Sequence, residues 1–540
     1  WKGGLTNATQ TWAASNGTTT SNWATTSGGT GQVLVPGAGA SVVFSGATYS
    51  ATANGSTLGA DITVAGLTQQ DATNAVVLNV DGFGLTVGTG GMTLASGAAD
   101  MTLYPDLVMA GAQSWTNNNT GKTISVNGRV TNGGNLLTIA GAGPVAIGGP
   151  IGGAGGITKS GAGTLTLSGV NTFTGPLSFT SGTVNISGVG MLGLGSYSQN
   201  IAIGAGTLTH SSNASQTFSG VLSGTGGQLQ KTGYGTLTLT NDNTFTGATT
   251  VSAGSLVLSG NNVAATGGMA VTGGFVQFAA PASINGTARN VTLSSPGVAT
   301  FGTGFAAGDL QSALLGRIVA SSSGVIAVDN QNGQNVDFAA AGFTSTPSLG
   351  AVGNVTYTGT FTPNGTTYRL GGGGGSLTMA NANAVTGAGK SLSVVGPGTV
   401  VLGAANNFTG STTIASGSVL QLGTGVSGQN GSVGSMSIAN SGTFTLANYD
   451  DQTLAIPVTG TGSFAKNAAG RATVSVAQGY TGATTVNAGT LALRAGNHTL
   501  VANQTMQVNG GTLDLGGNRQ FVGSFTGAGG SVTGTSRFTT

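Results

Sequence analysis

Apolar and polar residues alternate along this chain in short segments, with glycine or asparagine between the segments. Thr164–Leu167 and Thr236–Leu239 both read TLTL, so every second residue is apolar. A period of two residues is typical of a β-strand that buries one face and exposes the other. The pattern therefore predicts an all-β protein built from short strands and tight turns.

One motif occurs four times, at residues 155–187, 226–259, 390–423 and 462–494. Each copy contains an aromatic-Thr-Gly turn, and the aromatics are separated by 72, 163 and 72 residues: Phe173, Phe245, Phe408 and Tyr480. Nine residues after each aromatic stands a glycine, which is Gly182, Gly254, Gly417 or Gly489. Fourteen residues before it stands a lysine in three copies, Lys159, Lys231 and Lys466, whereas the third copy has Val394. A recurring spacing predicts an architecture of stacked, equivalent units.

These features together predict a right-handed parallel β-helix, a β-solenoid in the form of a single elongated rod. Each coil would bury its inward Leu, Val and Ile residues against the coils above and below. At roughly 20–24 residues per coil, the chain would form about 24 coils, and 72 residues would equal about three. We interpret residues 1–50, with Trp1, Trp12 and Trp23, as an N-terminal cap with the first coils. Residues 51–540 are expected to form one continuous solenoid.

The repeated residues have structural interpretations. The glycine that directly follows the aromatic and threonine is expected at a corner that requires a positive φ. The aromatic would fill the interior at that corner or stack on its equivalent one coil away. The lysine is expected at a solvated strand end, or, because its spacing is regular, in an interaction face.

Two segments depart from the alternating pattern. Residues 305–320 have helical spacing, because Leu310, Leu314, Leu315 and Ile318 would share one face, and we predict a short helix or a decorated loop there. The glycine run at 371–376, GGGGGS, is interpreted as a loop that leaves the solenoid.

The composition supports β-strands and argues against several classes of site and partner. Charged residues make up 5% of the 540 residues, all twelve acids are aspartate, and 102 residues are glycine, which disfavours helix. Lysines and arginines are scattered singly, so nucleic acid is not expected as a partner. The chain has no cysteine, which excludes thiolate chemistry and disulfides.

No catalytic, cofactor-binding or metal-binding residues are predicted, and we expect a protein that is not an enzyme. His210 and His498 lie far apart in sequence, and each is interpreted as a surface residue. Asp450 and Asp451 are adjacent, and with Tyr449 they would form either a solvated turn or a site for calcium or a sugar.

The four copies resemble the passenger-associated transport repeat of bacterial autotransporters, G-x-L-x-K-x-G-x-G-T-L-x-L-x-G-x-N-x-[FY]-T-G-x-T-x-V-x-x-G-x-L. The third copy departs at Val394, and the fourth has Arg471 and Ala472 in place of Thr and Leu. Residues 510–534 resemble the passenger motif that continues such arrays. The resemblance implies secretion through the outer membrane of a Gram-negative-type bacterium, with the passenger displayed at the cell surface or released. We expect contact with the outer membrane only through a translocator that is not part of this sequence.

The resulting expectation is an extracellular, non-enzymatic structural protein that builds fibres or a surface layer by self-association, end to end or laterally. The alternative is an autotransporter-type adhesin that binds glycans, host surfaces or sister cells. An exposed aromatic row along one face would support adhesion, whereas complementary ends of the solenoid would support assembly.

Overall fold

A computed structural model describes residues 10–25, 34–45, 54–262, 267–284, 290–302, 304–306, 308–314, 316–329, 333–534 and 538–539. The chain is all-β, with 43% of its residues in strands and 2% in helix. It divides into two compact units, Trp1–Ala270 and Val271–Thr540, and the strand Met269–Val271 contains the boundary.

The first unit contains three parallel sheets. Sheet 1A is formed by Ser41–Phe44, Ile62–Gln69, Leu85–Leu94, Leu107–Met109, Gln113–Asn117, Val130–Thr131, Leu137–Ala140, Ile151–Gly152, Ile157–Lys159, Leu177–Phe179, Ile201–Ala202 and Leu222–Ser223. Sheet 1B is formed by Asn54–Ser56, Val76–Leu78, Met101–Leu103, Ile124–Val126, Val145–Ile147, Thr164–Leu167, Thr183–Gly188, Thr207–Ser212, Gln228–Lys231 and Thr249–Val251. Sheet 1C is formed by Ser196–Tyr197, Gln216–Phe218, Thr236–Leu239 and Ser255–Leu258. Val170–Asn171 pairs separately with Met191–Leu192, and a 3-10 turn covers Gly193–Gly195.

The second unit has the same plan. Sheet 2A is formed by Phe275–Phe278, Val298–Phe301, Val325–Val328, Ser348–Ala351, Thr367–Leu370, Ser391–Val394, Thr412–Ile414, Ile438–Asn440, Val458–Gly460 and Gly479–Tyr480. Sheet 2B is formed by Asn354–Tyr357, Ser376–Met379, Gly398–Leu402, Ser418–Leu422, Thr443–Leu446, Ser463–Lys466, Thr484–Val486, Thr505–Val508 and Ser524–Gly527. Sheet 2C is formed by Gln452–Leu454, Arg471–Val474, Thr490–Leu493, Thr512–Asp514 and Ser531–Thr533. The remaining strands are Val291–Leu293, Val336–Asp337, Phe361–Thr362, Gln520–Phe521 and Phe538–Thr539, and short helical turns cover Pro281–Ile284 and Leu310–Leu314.

Most strands pair in parallel with a strand one turn later, which confirms the predicted parallel β-solenoid. The two units together contain about 21 turns, compared with the expected 24. The difference arises because turn length varies along the chain. Thr164 lies opposite Thr183, whereas Val298 lies opposite Val325, so some turns are several residues longer than the repeats alone indicate.

In most strands, alternate residues form the core. In sheet 1B, one inward column consists of apolar side chains that are fully buried: Leu165, Val184, Leu208 and Leu229. The adjacent outward column, Thr166, Asn185, Thr209 and Gln230, is partly exposed. Burying a Leu or Val side chain contributes roughly 1.5–3 kcal/mol, so stacked apolar columns supply the main favourable term of the fold.

Two tryptophans near the start of the chain are buried. Trp12 packs edge-on against Trp23, with ring centroids 5.3 Å apart, and also contacts Phe44 of the first strand. The backbone N–H of Trp12 donates to the carbonyl of Thr57, so residues near Trp12 extend the ladder of sheet 1B by one turn. Trp1 lies outside the described residues.

The two irregular segments behave differently from each other. The stretch 305–320 contains one short helical turn, Leu310–Leu314, as predicted, with Leu310 and Ile318 buried. The prediction that the glycine run leaves the solenoid is wrong, because Gly371–Gly373 are buried. Four consecutive residues, 371–374, have positive φ, so this run forms a tight corner that only glycine adopts without strain.

Candidate functional site: the repeat corners

Each copy of the repeat forms two stacked corners of the solenoid. In the first copy, Ile157–Lys159 lies in sheet 1A and Thr164–Leu167 in sheet 1B. One turn later, Leu177–Phe179 and Thr183–Gly188 pair with them in the same order. The aromatic-Thr-Gly turn lies on the path between the two corners. We call this pair of stacked corners the repeat corner.

Successive copies do not occupy the same face. The first copy uses sheets 1A and 1B, and the second uses sheets 1B and 1C. In the second unit, the third copy uses sheets 2A and 2B, and the fourth uses sheets 2B and 2C. Within each unit, 72 residues therefore correspond to three turns plus one sheet, not to a whole number of turns.

The repeated lysine lies inside the solenoid. Lys159, Lys231 and Lys466 are each 0–1% exposed, so the predictions of a solvated strand end and of an interaction face are both wrong. Their neighbours in register are mostly apolar: Ile139 and Phe179 beside Lys159, and Leu446 and Val486 beside Lys466. The four-carbon stem fills the core as a hydrophobic side chain does, and only the amine requires partners.

Backbone carbonyls of the corner satisfy that amine. Lys159 Nζ donates to the carbonyls of Ser160 at 3.0 Å and Gly161 at 2.7 Å. Lys466 Nζ donates to the two carbonyls that follow it, and Lys231 Nζ donates to those of Gly233 and Ala253. Burial lowers the pKa of all three lysines to about 8.

The glycine nine residues after the aromatic allows this close packing. Gly182, Gly254, Gly417 and Gly489 all have positive φ. A Cβ on Gly254 would lie 2.6 Å from Lys231 Nζ and 2.3 Å from the carbonyl oxygen of Gly233. A side chain at this position would therefore displace the amine from its carbonyl partners.

The glycine directly after the aromatic and threonine serves a different purpose from the one predicted. Gly175, Gly247, Gly410 and Gly482 are absent from the residues with positive φ, so the predicted left-handed corner is wrong. A Cβ on Gly175 would lie 2.4 Å from the backbone nitrogen of Gly156, one turn earlier. This glycine is required because two backbones approach closely, not because of its conformation.

The repeat aromatics fill the interior, as predicted. Phe173, Phe245, Phe408 and Tyr480 are 0–3% exposed. The Tyr480 ring stacks on Phe464 with centroids 5.6 Å apart, and Phe173 contacts Tyr197 edge-on.

An amide two residues before each aromatic bridges neighbouring turns. Asn171 Oδ1 accepts from the N–H of Ile151, and its Nδ2 donates to the carbonyls of Gly169 and Met191. Asn243 and Asn406 also accept an N–H from the previous turn and donate to the carbonyl two residues before them, and Gln478 does the same in the fourth copy. All four amides are buried: Asn171, Asn243, Asn406 and Gln478. The asparagine is visible in the sequence motif, but its bridging role requires the register.

The third copy shows what replaces the lysine. Val394 is buried in the lysine position, between Leu370 and Ile414. The carbonyl of Gly396, which corresponds to that of Gly161, instead accepts a hydrogen bond of 2.6 Å from Ser418 Oγ. In this corner, a hydroxyl from the next turn donates to the carbonyl that accepts from the lysine ammonium in the other copies.

This geometry belongs to a known repeat. The family model of the passenger-associated-transport-repeat matches the chain at residues 157–186, 229–258, 253–278, 392–422 and 465–493. The chain carries passenger-associated transport repeats. These repeats and the solenoid are consistent with an autotransporter passenger domain, which implies a secreted or cell-surface protein of a Gram-negative bacterium. Neither the curated proteins nor the solved structures that were compared include a match.

One passenger-associated transport repeat was missed by reading the sequence. The match at 253–278 begins inside the second copy and has Ala265 where the other copies have Phe or Tyr. Because the aromatic-Thr-Gly turn was the guide to the motif, a copy without the aromatic was not recognised. The retained Thr266-Gly267 and the later Gly273-Gly274 are the remaining signal.

Most aspartates join one turn to another. A carboxylate accepts a backbone N–H from a neighbouring turn at 2.6–2.9 Å in six cases: Asp61, Asp81, Asp100, Asp106, Asp242 and Asp451. Asp71, Asp309 and Asp337 accept N–H groups within their own turns. Asp514 forms ion pairs with Arg471 and Arg494. The few acids are thus used to hold the coils in register.

Asp450 and Asp451, the adjacent acids of the sequence, each contact a different turn. Asp450 accepts from the side-chain amide of Asn430, and Asp451 accepts from the N–H of Arg471 at 2.8 Å. The N–H of Tyr449 donates to Asn430 Oδ1. Across the parts of the chain that the structure describes, no three His or Asp side chains are grouped as a metal ion requires.

The two histidines have opposite environments. His498 is exposed, as predicted, and stacks on Phe521. The prediction for His210 is wrong, because this residue is fully buried in sheet 1B. No helix within the described ranges is long and apolar enough to cross a membrane.

Proposed function

We propose that this chain is a non-enzymatic structural passenger that builds an extracellular fibre or surface layer by self-association. The observation that supports this proposal is how its charged groups are used. The repeat lysines satisfy corner carbonyls, and six aspartates accept an N–H from a neighbouring turn, so these charged groups are used within one chain. What the sheets present outward is nearly uncharged.

The outward face of sheet 1B is the clearest surface for such contact. One column runs across eight turns and contains no charged residue: Thr102, Ser125, Ala146, Thr166, Asn185, Thr209, Gln230 and Thr250. Neighbouring strands lie about 4.8 Å apart, so hydroxyl and amide groups recur at a regular interval. Two such faces can come together without removing ions from water. Burying a charged group costs far more free energy than burying a neutral hydroxyl or amide.

Lateral contact is favoured over contact through the first turn. Trp12 is buried against Trp23 and Phe44, and its backbone N–H bonds to Thr57, next to the first strand of sheet 1B. Paired backbone is not available to a strand of a second copy. We therefore propose that copies associate side by side through their outward columns.

Sedimentation velocity over a range of protein concentrations tests this proposal. We expect the wild-type protein to associate as concentration rises. The double variant Thr166→Lys, Thr209→Lys places two charges in the outward column of sheet 1B and should remain monomeric at the same concentrations. The matched control Thr18→Lys, Thr225→Lys adds the same charge at exposed turns and should associate as the wild type does. A wild-type protein that stays monomeric throughout would rule the proposal out.

Adhesion is the second candidate, and exposed aromatics support it. Tyr234 is 82% exposed, and Phe83, Tyr104 and Tyr449 are 41–47% exposed. An exposed ring can stack on the apolar face of a sugar. These rings lie at separate turns of the chain, so we rank adhesion below assembly. Binding to immobilised glycans that is lost in Tyr104→Ala and Tyr234→Ala variants, without any self-association, would favour adhesion.

A further inference from the structure

The buried His210 of sheet 1B has no polar partner. It is 0% exposed, and neither ring nitrogen forms a hydrogen bond with any described residue. It occupies an inward position of the strand Thr207–Ser212. The inward residues two positions before and after it, Leu208 and Ser212, are also buried. Buried polar groups without partners are rare in native proteins, and a specific one requires an explanation.

The groups that face His210 come from the two adjacent turns. Ile186 lies opposite it on one side and Lys231, the buried lysine of the second repeat, on the other. Lys231 is the charged group that acts on the imidazole. The Lys231 ammonium is already held by the carbonyls of Gly233 and Ala253.

This arrangement differs from the other two lysine-containing repeats of the chain. The residue one turn before Lys159 is Ile139, and the residue one turn before Lys466 is Leu446. An aliphatic side chain at this position packs against the lysine stem and has no group that can gain or lose a proton. Only the second repeat places a titratable ring there.

We propose that His210 and Lys231 form an acid-sensitive switch, in which protonation of His210 puts two cations on adjacent buried turns and opens the first unit locally around them. The opened turns let water reach both charges, which removes the cost of burying them side by side.

The direction of the effect follows from proton linkage. Burial, together with the positive charge of Lys231, lowers the pKa of His210 to about 4, whereas a solvated histidine titrates near 6.5. Between these values the opened form binds a proton that the closed form does not. The closed form is therefore favoured above pH 6.5, and the opening equilibrium increases as pH falls, by on the order of a hundredfold at pH 4.

Amide hydrogen exchange of the intact protein, measured by mass spectrometry between pH 7 and pH 4 and corrected for intrinsic rates, tests the switch. We expect the protection of 207–212 and 228–231 to fall on the order of a hundredfold across this range. The turns around Ile139 and Lys159 are an internal control in the same molecule, and their protection should change little. His210→Leu, which copies the fourth repeat, should abolish the acid response of 207–231.

Two results would overturn the switch. One is a protection of 207–231 that changes no more with pH than that of 137–159. The other is an acid response that persists in His210→Leu. If His210→Leu fails to fold, Lys231→Val provides the second test, because it copies Val394 of the third repeat and removes the neighbouring cation. It should retain the acid response but reduce its size, and an unchanged response would show that Lys231 has no part in it.

Discussion

The residue scale is where the repeat motif acquires a physical meaning. The motif allows the backbone to turn a tight corner while its polar groups stay hydrogen-bonded. Its lysine, its two glycines and its amide all contribute to this. The sequence alone predicted the buried aromatics correctly, because aromatic side chains are apolar and recur with the turns. It placed the lysine outside, because a residue that is mostly exposed in proteins gives no local sign that carbonyls surround it.

The third copy allows a direct test of this role at a single corner. Ser418→Ala removes the hydroxyl that donates to the partly buried carbonyl of Gly396, and it should cost about 1–3 kcal/mol in the free energy of unfolding. Ser427 is exposed, and Ser427→Ala should change stability by less than about 0.5 kcal/mol. The measurement is the midpoint of urea unfolding.

A rescue experiment distinguishes the corner donor from general packing. Val394→Lys, added to Ser418→Ala, places an amine where the other copies have one, and part of the lost stability should return. The comparison requires both single variants and the double variant. The changes in the free energy of unfolding of the two single variants are added and compared with that of the double variant. If the double variant is no more stable than this sum predicts, the hydroxyl and the ammonium are not equivalent.

At the scale of elements, the sequence predicted more than at the scale of residues. A period of two residues and frequent glycine turns identify short parallel strands, and the confirmed solenoid follows from them. The positions of the repeats around the coil could not be predicted, because the turns between the copies vary in length. The average turn length predicts that 72 residues equal about three turns, whereas within each unit this spacing equals three turns plus one sheet. Lys159 and Lys231 therefore lie in different sheets.

The amide of the repeat is predicted to hold three turns together. Asn171 bonds to Ile151 one turn before it and Met191 one turn after it, so Asn171→Ala leaves the N–H of Ile151 without its acceptor and removes a donor from the carbonyls of Gly169 and Met191. We expect faster amide exchange of Ile151, because its N–H loses its acceptor, corresponding to about 1–3 kcal/mol of lost protection. Asn118 is exposed, and Asn118→Ala should leave exchange unchanged. Equal exchange in both variants would show that the amide is dispensable.

At the scale of the whole molecule, buried titratable groups give stability a defined dependence on alkaline pH. Lys159, Lys231 and Lys466 have a folded pKa of about 8, below the unfolded value of 10.5. The unfolded chain therefore binds more protons between pH 8 and 10.5, and stability should rise with pH across that range. Burial raises the pKa of Tyr197, Tyr357 and Tyr480 above the ordinary value near 10, so stability should fall at higher pH.

These opposite slopes cancel, and stability is greatest, between about pH 10 and 10.5. Urea unfolding at intervals from pH 7 to pH 11 measures it. A variant in which all three lysines are replaced by methionine should lose the rise above pH 8 and retain the fall above pH 10. A wild-type stability that declines steadily from pH 7 would mean that the lysines are not buried as described.

We propose that this chain, which has few charges, uses most of them internally and presents uncharged columns to its surroundings. Electron cryo-microscopy of the secreted protein, imaged at the concentrations at which it accumulates, tests this claim most directly. We predict fibres or layers in which copies lie side by side with the outward columns of sheet 1B in contact. Fields that contain only separate molecules, at every concentration examined, would contradict it.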